Sequence, residues 1–230
     1  MMTTALFSSV LAENIQSPRC VIDATLDRSS YMPIDLSEAN RDLKEFDVSS
    51  SRAWQEYISS RLSAQGKRVA YGGYLERRSI YSRSAYFNTE VSETERNIHL
   101  GIDLWVEAGT KVLAAFDGEI HSFKDNRNYG DYGPTLILKH TINSVPFYTL
   151  YGHLSRESLR DLKEGTVVKQ GQQIAVLGDA SVNGDYAPHL HFQVIRDLQG
   201  NVGDYPGVSS LRDLEFYKKN CPDPNIILGL

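Results

Sequence analysis

A chain of 230 residues with 24 Lys and Arg against 29 Asp and Glu carries a formal net charge of −5, which argues against nucleic acid as a partner. Hydrophobic residues at 41% and charged residues at 23% describe an ordinary globular protein, long enough for one large domain with extensions. No run approaches the roughly 18 apolar residues that span a bilayer, so no membrane partner is expected.

Residues 1–12 are mildly apolar and end in Val-Leu-Ala, yet they lack a basic start and are broken by serines. That pattern reads as a helix start rather than an export signal, which makes the cytoplasm the expected location and export the alternative. Residues 35–47 space Leu36, Leu43 and Phe46 near a helical period. Residues 51–62 place Trp54, Tyr57, Ile58 and Leu62 on one stripe behind capping serines, which predicts an amphipathic helix with a docking face. Residues 1–70 are therefore read as a helical arm. Cys20 and Cys221 sit near opposite ends, away from every histidine motif, and read as small reduced residues, buried or half-buried.

From Tyr71 the character changes. A tyrosine-rich stretch (Tyr71, Tyr74, Tyr81, Tyr86) leads to short β-type runs at 111–116, 119–123, 135–140, 147–151, 173–177 and 189–195, separated by Gly, Asn and Asp. Asp117-Gly118 reads as a hairpin turn between the first two. Residues 164–179 resemble a lipoyl-type carrier hairpin, but no lysine occupies a presented tip, and the carrier reading is set aside. The expected fold class is mainly β with a helical extension (α+β): an antiparallel β-sheet or partly closed barrel forming a groove. The main domain covers 71–200, and 201–230 reads as a C-terminal tail with a short helix at 211–219.

Four of the six histidines fall into three short patterns: His99-Leu-Gly-Ile-Asp103, Tyr-Gly-His153-Leu-Ser, and Pro-His189-Leu-His191-Phe. Strand alternation points His189 and His191 the same way while Leu190 and Phe192 face the core. His99 and Asp103, four apart, share a face whether extended or helical. Apolar Ile102 and Leu104 flank Asp103 and turn it inward, where a buried carboxylate needs a partner. Two imidazoles and one carboxylate from these pairs would leave a tetrahedral zinc its fourth position for water, the mark of a catalytic site. An isolated His-x-His is an ordinary strand, and His153 alone could cap a turn; it is the set that makes a site. His121 and His140 have no motif partner and read as structural. Tyr129, Tyr132, Tyr151 and Tyr186 read mainly as packing residues near the motifs, and the polar loop 125–133 as a groove wall.

These three motifs in this order resemble the lysostaphin/LytM-type zinc metallopeptidases, the peptidoglycan endopeptidase-like family. The resemblance spans about residues 71–197, including Ala-Gly-Thr at 108–110 and the Gly-rich hairpin before His189. It implies His99, Asp103 and His191 as zinc ligands, with His153 and His189 as catalytic residues beside them. It further implies a Zn2+-dependent endopeptidase that hydrolyses a peptide bond in peptidoglycan-type or muropeptide substrates with zinc-activated water. The stretches at 130–134, 148–155 and 223–225 are similar in particular to the metallopeptidase-like segment of phosphotransferase/aminotransferase fusion proteins. That second likeness opens two alternatives: a cytosolic amidohydrolase on a non-wall substrate, or a non-catalytic LytM-like binding or regulatory module. The sequence is silent on oligomeric state.

Overall fold

His189–Ile195 alternates two chemistries on one strand. His189, His191 and Gln193 share one face, while Leu190, Phe192 and Val194 share the other and enter the main apolar core. All seven residues are buried, which places this strand centrally and gives every other element its reference. The computed structural model describes residues 4–84, 87 and 93–230; Tyr86 lies outside the described residues. In chain order the strands are β1 (Tyr31–Pro33), β2 (Val69–Gly72), β3 (Arg96–His99), β4 (Ile102–Trp105), β5 (Lys111–Leu113), β6 (Gly118–Asn126), β7 (Gly133–Ile142), β8 (Val145–Gly152), β9 (Val167–Val168), β10 (Gln173–Val176), β11 (His189–Ile195) and β12 (Val208–Ser210). The helices are α1 (Thr4–Asn14), α2 (Ser51–Ala64), α3 (Leu214–Asn220) and α4 (Asn225–Leu228).

Eight strands form one sheet in the order β1-β2-β4-β11-β8-β7-β6-β9, and β5/β10 and β3/β12 form two-stranded ribbons. The fold is thus mainly β with helical additions, as expected, and its pairings are antiparallel apart from parallel β1–β2. The large sheet stays open, with β1 and β9 as edges, and does not close into a barrel. Beneath it lies a core built around Leu104, Leu136, Leu138, Phe147, Tyr151 and Phe192. Helix α1 docks there through buried Phe7 and Leu11, with Phe7 edge-on to Phe147 at 5.8 Å.

Helix α2 follows the expected stripe. Ser50 caps it by accepting from Ala53 N at 3.2 Å, and Trp54 and Ile58 are its buried residues. They join Leu36, Ile80, Tyr81, Trp105 and Tyr186 in a second apolar cluster on the histidine side of the sheet. The helix expected over 35–47 shrinks to a single 3-10 turn, Arg41–Lys44. Asp35 and Asn40 side chains accept from Ser37 N and Asp42 N, so local side-chain bonds take the donors a longer helix would use.

The hairpin expected at Asp117-Gly118 does not form. β5 pairs with β10 and β6 with β7, so the dipeptide passes between sheets. Gly118 lacks the positive φ of a two-residue hairpin; its glycine is required because a Cβ would meet Lys139 O at 2.3 Å. The tight hairpin is instead β7–β8, where Asn143 and Ser144 take φ of 50° and 64°. Both cysteines are free; Cys221 is buried and Cys20 is exposed rather than half-buried.

Candidate metal centre

Strand register brings the motif residues together. β11 runs antiparallel to β4 with His191 opposite Asp103, and to β8 with His191 opposite Gly152. β3 ends on His99 and is bound through β12, so His99 meets the same point from another sheet. His99 Nε2 lies 2.8 Å from His191 Nδ1, and Asp103 Oδ1 is 3.2 Å from each of them. These three side chains are nearly inaccessible to solvent, at 1–2% exposure.

The other nitrogen of each ring reveals its tautomer. His99 Nδ1 sits 2.9 Å from Gly73 O, and a carbonyl can only accept, so Nδ1 carries the hydrogen and Nε2 is bare. Gln193 donates through Nε2 to Pro206 O, which leaves its Oε1, 3.0 Å from His191 Nε2, to accept from that ring. In the neutral tautomer that this bond selects, His191 Nδ1 is the nitrogen without a hydrogen. Two nitrogen lone pairs and a carboxylate oxygen face one another with no hydrogen to share, an arrangement that repels itself without a cation. Their separations approach the edge of about 3.3 Å of a tetrahedron drawn at the usual ~2.0 Å zinc distances. The residues present fit a zinc ion, with their outer nitrogens already tied as such ligands require.

His153 and His189 flank the trio. Both direct Nδ1 at a backbone carbonyl, Asn183 O at 2.9 Å and Ala187 O at 2.8 Å, so both keep Nε2 unprotonated. Their rings stand 4.1 Å apart, and His189 stacks on Trp105 at 4.0 Å. His189 Nε2 is 3.8 Å from Asp103 Oδ1. His153 has a positive φ of 63°, a sparsely populated conformation for a residue with a side chain. Bonds from His153 N to Tyr132 O and from Gly178 N to His153 O hold it there.

Burial sets the charge states. It presses the His99 imidazole down to about 3, aided by the Arg78 cation, and His189 down to about 4. His153 is driven well below the ordinary range by burial and by its neighbours His189 and His191. Burial would raise the Asp103 carboxyl, but His99, Arg78 and His189 outweigh it and hold it well below the usual carboxylate range. At neutral pH the Asp103 anion therefore lies among the uncharged rings of His99, His153 and His189, with the Arg78 cation on its outer oxygen.

A cavity of about 160 Å³ opens on these groups. Its far wall comes from Leu36, Trp54, Ile80 and Tyr81, so the segment before the histidines roofs the site. Tyr132 and Tyr186 also line it, whereas Tyr151 is buried in the core and Tyr129 is 49% exposed outside. Tyr132 OH donates to Tyr205 O and lies 3.5 Å from His191 Nε2; burial raises its hydroxyl, and pushes that of Tyr186 up to about 12, so both stay protonated. His121 and His140 are elsewhere, on β6 and β7, bonded to Ser122 Oγ and to Asp117 O with Thr149 Oγ1.

Three contributors escaped the sequence reading. Gln193 was legible, since His-x-His-x-Gln continues one strand face. Gly73 and Arg78 were not, because their partners lie 26 and 25 residues downstream and no local period links them.

Residues 97–202 match Peptidase family M23. Over 98 residues the chain is 37% identical to the peptidoglycan DD-endopeptidase ShyC of Vibrio cholerae, and over 95 residues 34% identical to an uncharacterized metalloprotease of Haemophilus influenzae. Those matches cover 42% and 41% of this chain but only 20% and 18% of the relatives' lengths. The catalytic domain of lysostaphin from Staphylococcus simulans aligns with a TM-score of 0.37 and 25% identity, covering 64% of this chain and 88% of that one. All five motif residues, His99, Asp103, His153, His189 and His191, lie inside the segment 97–202 that matches Peptidase family M23.

Proposed function

We propose that the site holds one zinc ion through His99 Nε2, Asp103 Oδ1 and His191 Nδ1, and that the protein hydrolyses peptide bonds in peptidoglycan-type or muropeptide substrates. The observation that carries this reading is the buried trio of two imidazole nitrogens and one carboxylate oxygen, 2.8–3.2 Å apart and facing one another. Zinc, when bound, supplies a Lewis acid that polarises a carbonyl and brings the pKa of water down towards about 7. The chain's own residues do the rest. His153 and His189 present two bare Nε2 atoms beside the trio, within reach of a proton leaving water. Two imidazoles 4.1 Å apart in a buried site cannot both carry charge, so the pair accepts one proton at a time. The ring that takes it becomes a donor and can return the proton to the departing amine. Asn183 O and Ala187 O keep each Nδ1 hydrogen in place throughout, so the rings change charge without turning.

The substrate class rests on the relatives, one of which is named a peptidoglycan endopeptidase. Metal analysis of the purified protein, then incubation of the zinc-loaded form with purified muropeptides and oligoglycine under mass-spectrometric readout, tests both parts. One zinc per chain with a defined cleaved bond is expected. Stoichiometric zinc with no cleavage of any amide would favour a non-catalytic module instead.

A further inference from the structure

Asp103 offers only one oxygen to the trio; the other is already taken. Arg78 donates from Nη1 to Asp103 Oδ2 and from Nε to Glu76 Oε2 at 2.6 Å. Its side chain is 4% exposed, and Glu76 is in turn fixed by accepting from Leu36 N at 2.9 Å. A buried cation is costly unless it is well paired and hydrogen-bonded, and here two carboxylates meet that need. The guanidinium is also on the outer side of the site. A Cβ on Gly73 would fall 2.0 Å from Arg78 Nη2 and 2.8 Å from His99 Nδ1, so Nη2 borders the ring edge that points away from the donor trio. Gly73, at φ 109°, is glycine because that space is full.

We infer that Arg78 is a positioning residue of the metal centre: by occupying Asp103 Oδ2 it restricts the carboxylate to one-oxygen ligation and keeps the site four-coordinate. This rests on the zinc-site reading above. A carboxylate free at both oxygens can grip an ion with two, raising the coordination number and weakening the preference for a tetrahedral metal. Arg suits the task because its planar fork reaches two carboxylates in fixed directions, whereas Lys offers a single point charge. Substituting the outer partner of a metal ligand ordinarily changes affinity by about 10–100-fold.

The test uses the whole chain with Zn2+ or Co2+ alone, and no turnover. Zinc affinity is measured by competition with a chelator, and the visible band of the Co2+-loaded protein reports coordination number, being intense for four-coordinate and faint for higher. Wild type should show the intense band. Arg78→Gln should lose it and bind zinc about 10–100-fold more weakly. Arg78→Lys, which keeps the buried charge and so protects folding, should show an intermediate band. If Arg78→Gln does not fold, a shifted band in Arg78→Lys still supports the inference. Wild-type band and affinity in Arg78→Lys together with failure of Arg78→Gln to fold would overturn it, as would wild-type behaviour in a folded Arg78→Gln. A wild-type protein that binds neither ion would instead remove the metal-centre reading, and this inference with it.

Discussion

Two kinds of buried histidine occur in this protein, and they differ in how their ring nitrogens are used. His140 on β7 spends both ring nitrogens, one on Asp117 O at 2.9 Å and one on Thr149 Oγ1 at 2.7 Å, and it sits against Phe116 and Phe147. His153 and His189 spend only Nδ1 on a carbonyl, with His189 Nε2 3.8 Å from Asp103 Oδ1 and the His153 ring 4.1 Å from that of His189. Burial is common to all three, and it lowers all three. A depressed imidazole therefore does not separate the two kinds; an unspent ring nitrogen does, and the proposed roles of His153 and His189 rest on it.

The largest expected effect lies in the trio itself. Asp103→Ala removes the one anion among three donors, and metal analysis should fall from about one ion per chain to near none, with all hydrolysis lost. Next comes the flanking pair. His153→Ala should keep its zinc yet lower turnover by about 10²–10⁴-fold, the usual worth of a proton-transfer group; loss of metal in this variant would abolish the distinction drawn between ligand and neighbour. Gln193→Leu leaves His191 Nε2–H without its acceptor, and zinc affinity should weaken by about 10–100-fold in a chelator competition.

The smallest effect belongs to His140, and its sign follows from linkage. Burial holds this imidazole at about 4 in the fold against an ordinary value of 6.5, so between those values the unfolded chain binds the extra proton. The stability it contributes is complete above about pH 6.5 and drains away as pH falls towards 4, by at most on the order of 3 kcal/mol. Urea midpoints across that window should fall less steeply in His140→Gln than in wild type. Equal slopes would mean that His140 is not held neutral.

Much of this was readable in the residues. The strand over 189–195 matches β11 at both ends, and its polar and apolar side chains alternate from His189 to Val194. The Trp54/Ile58 stripe reads directly as α2. That His99, Asp103 and His191 cluster was legible because each sits in a short local motif, and antiparallel register sets His191 opposite Asp103. What stayed hidden depends on distant pairing. Asp117-Gly118 has hairpin composition, yet the strand partners on either side were decided by β10 and β7. The 3-10 turn at Arg41–Lys44 reflects competition from Asp35 and Asn40 side chains that a periodicity count ignores. Arg78 carries no local mark at all, since its meaning lies in Asp103 across a sheet.

The loop that follows β2 has a practical consequence for anyone who would cut this protein down. A fragment of 97–202 would carry every histidine of the family match, yet it would omit the Gly73 carbonyl that turns His99 and the guanidinium that steadies Asp103. It would also lack β12, which clamps the strand ending in His99. Such a truncation should recover the recognisable motif and forfeit much of its grip on an ion, so the smallest competent unit begins upstream of residue 73 and runs past residue 210.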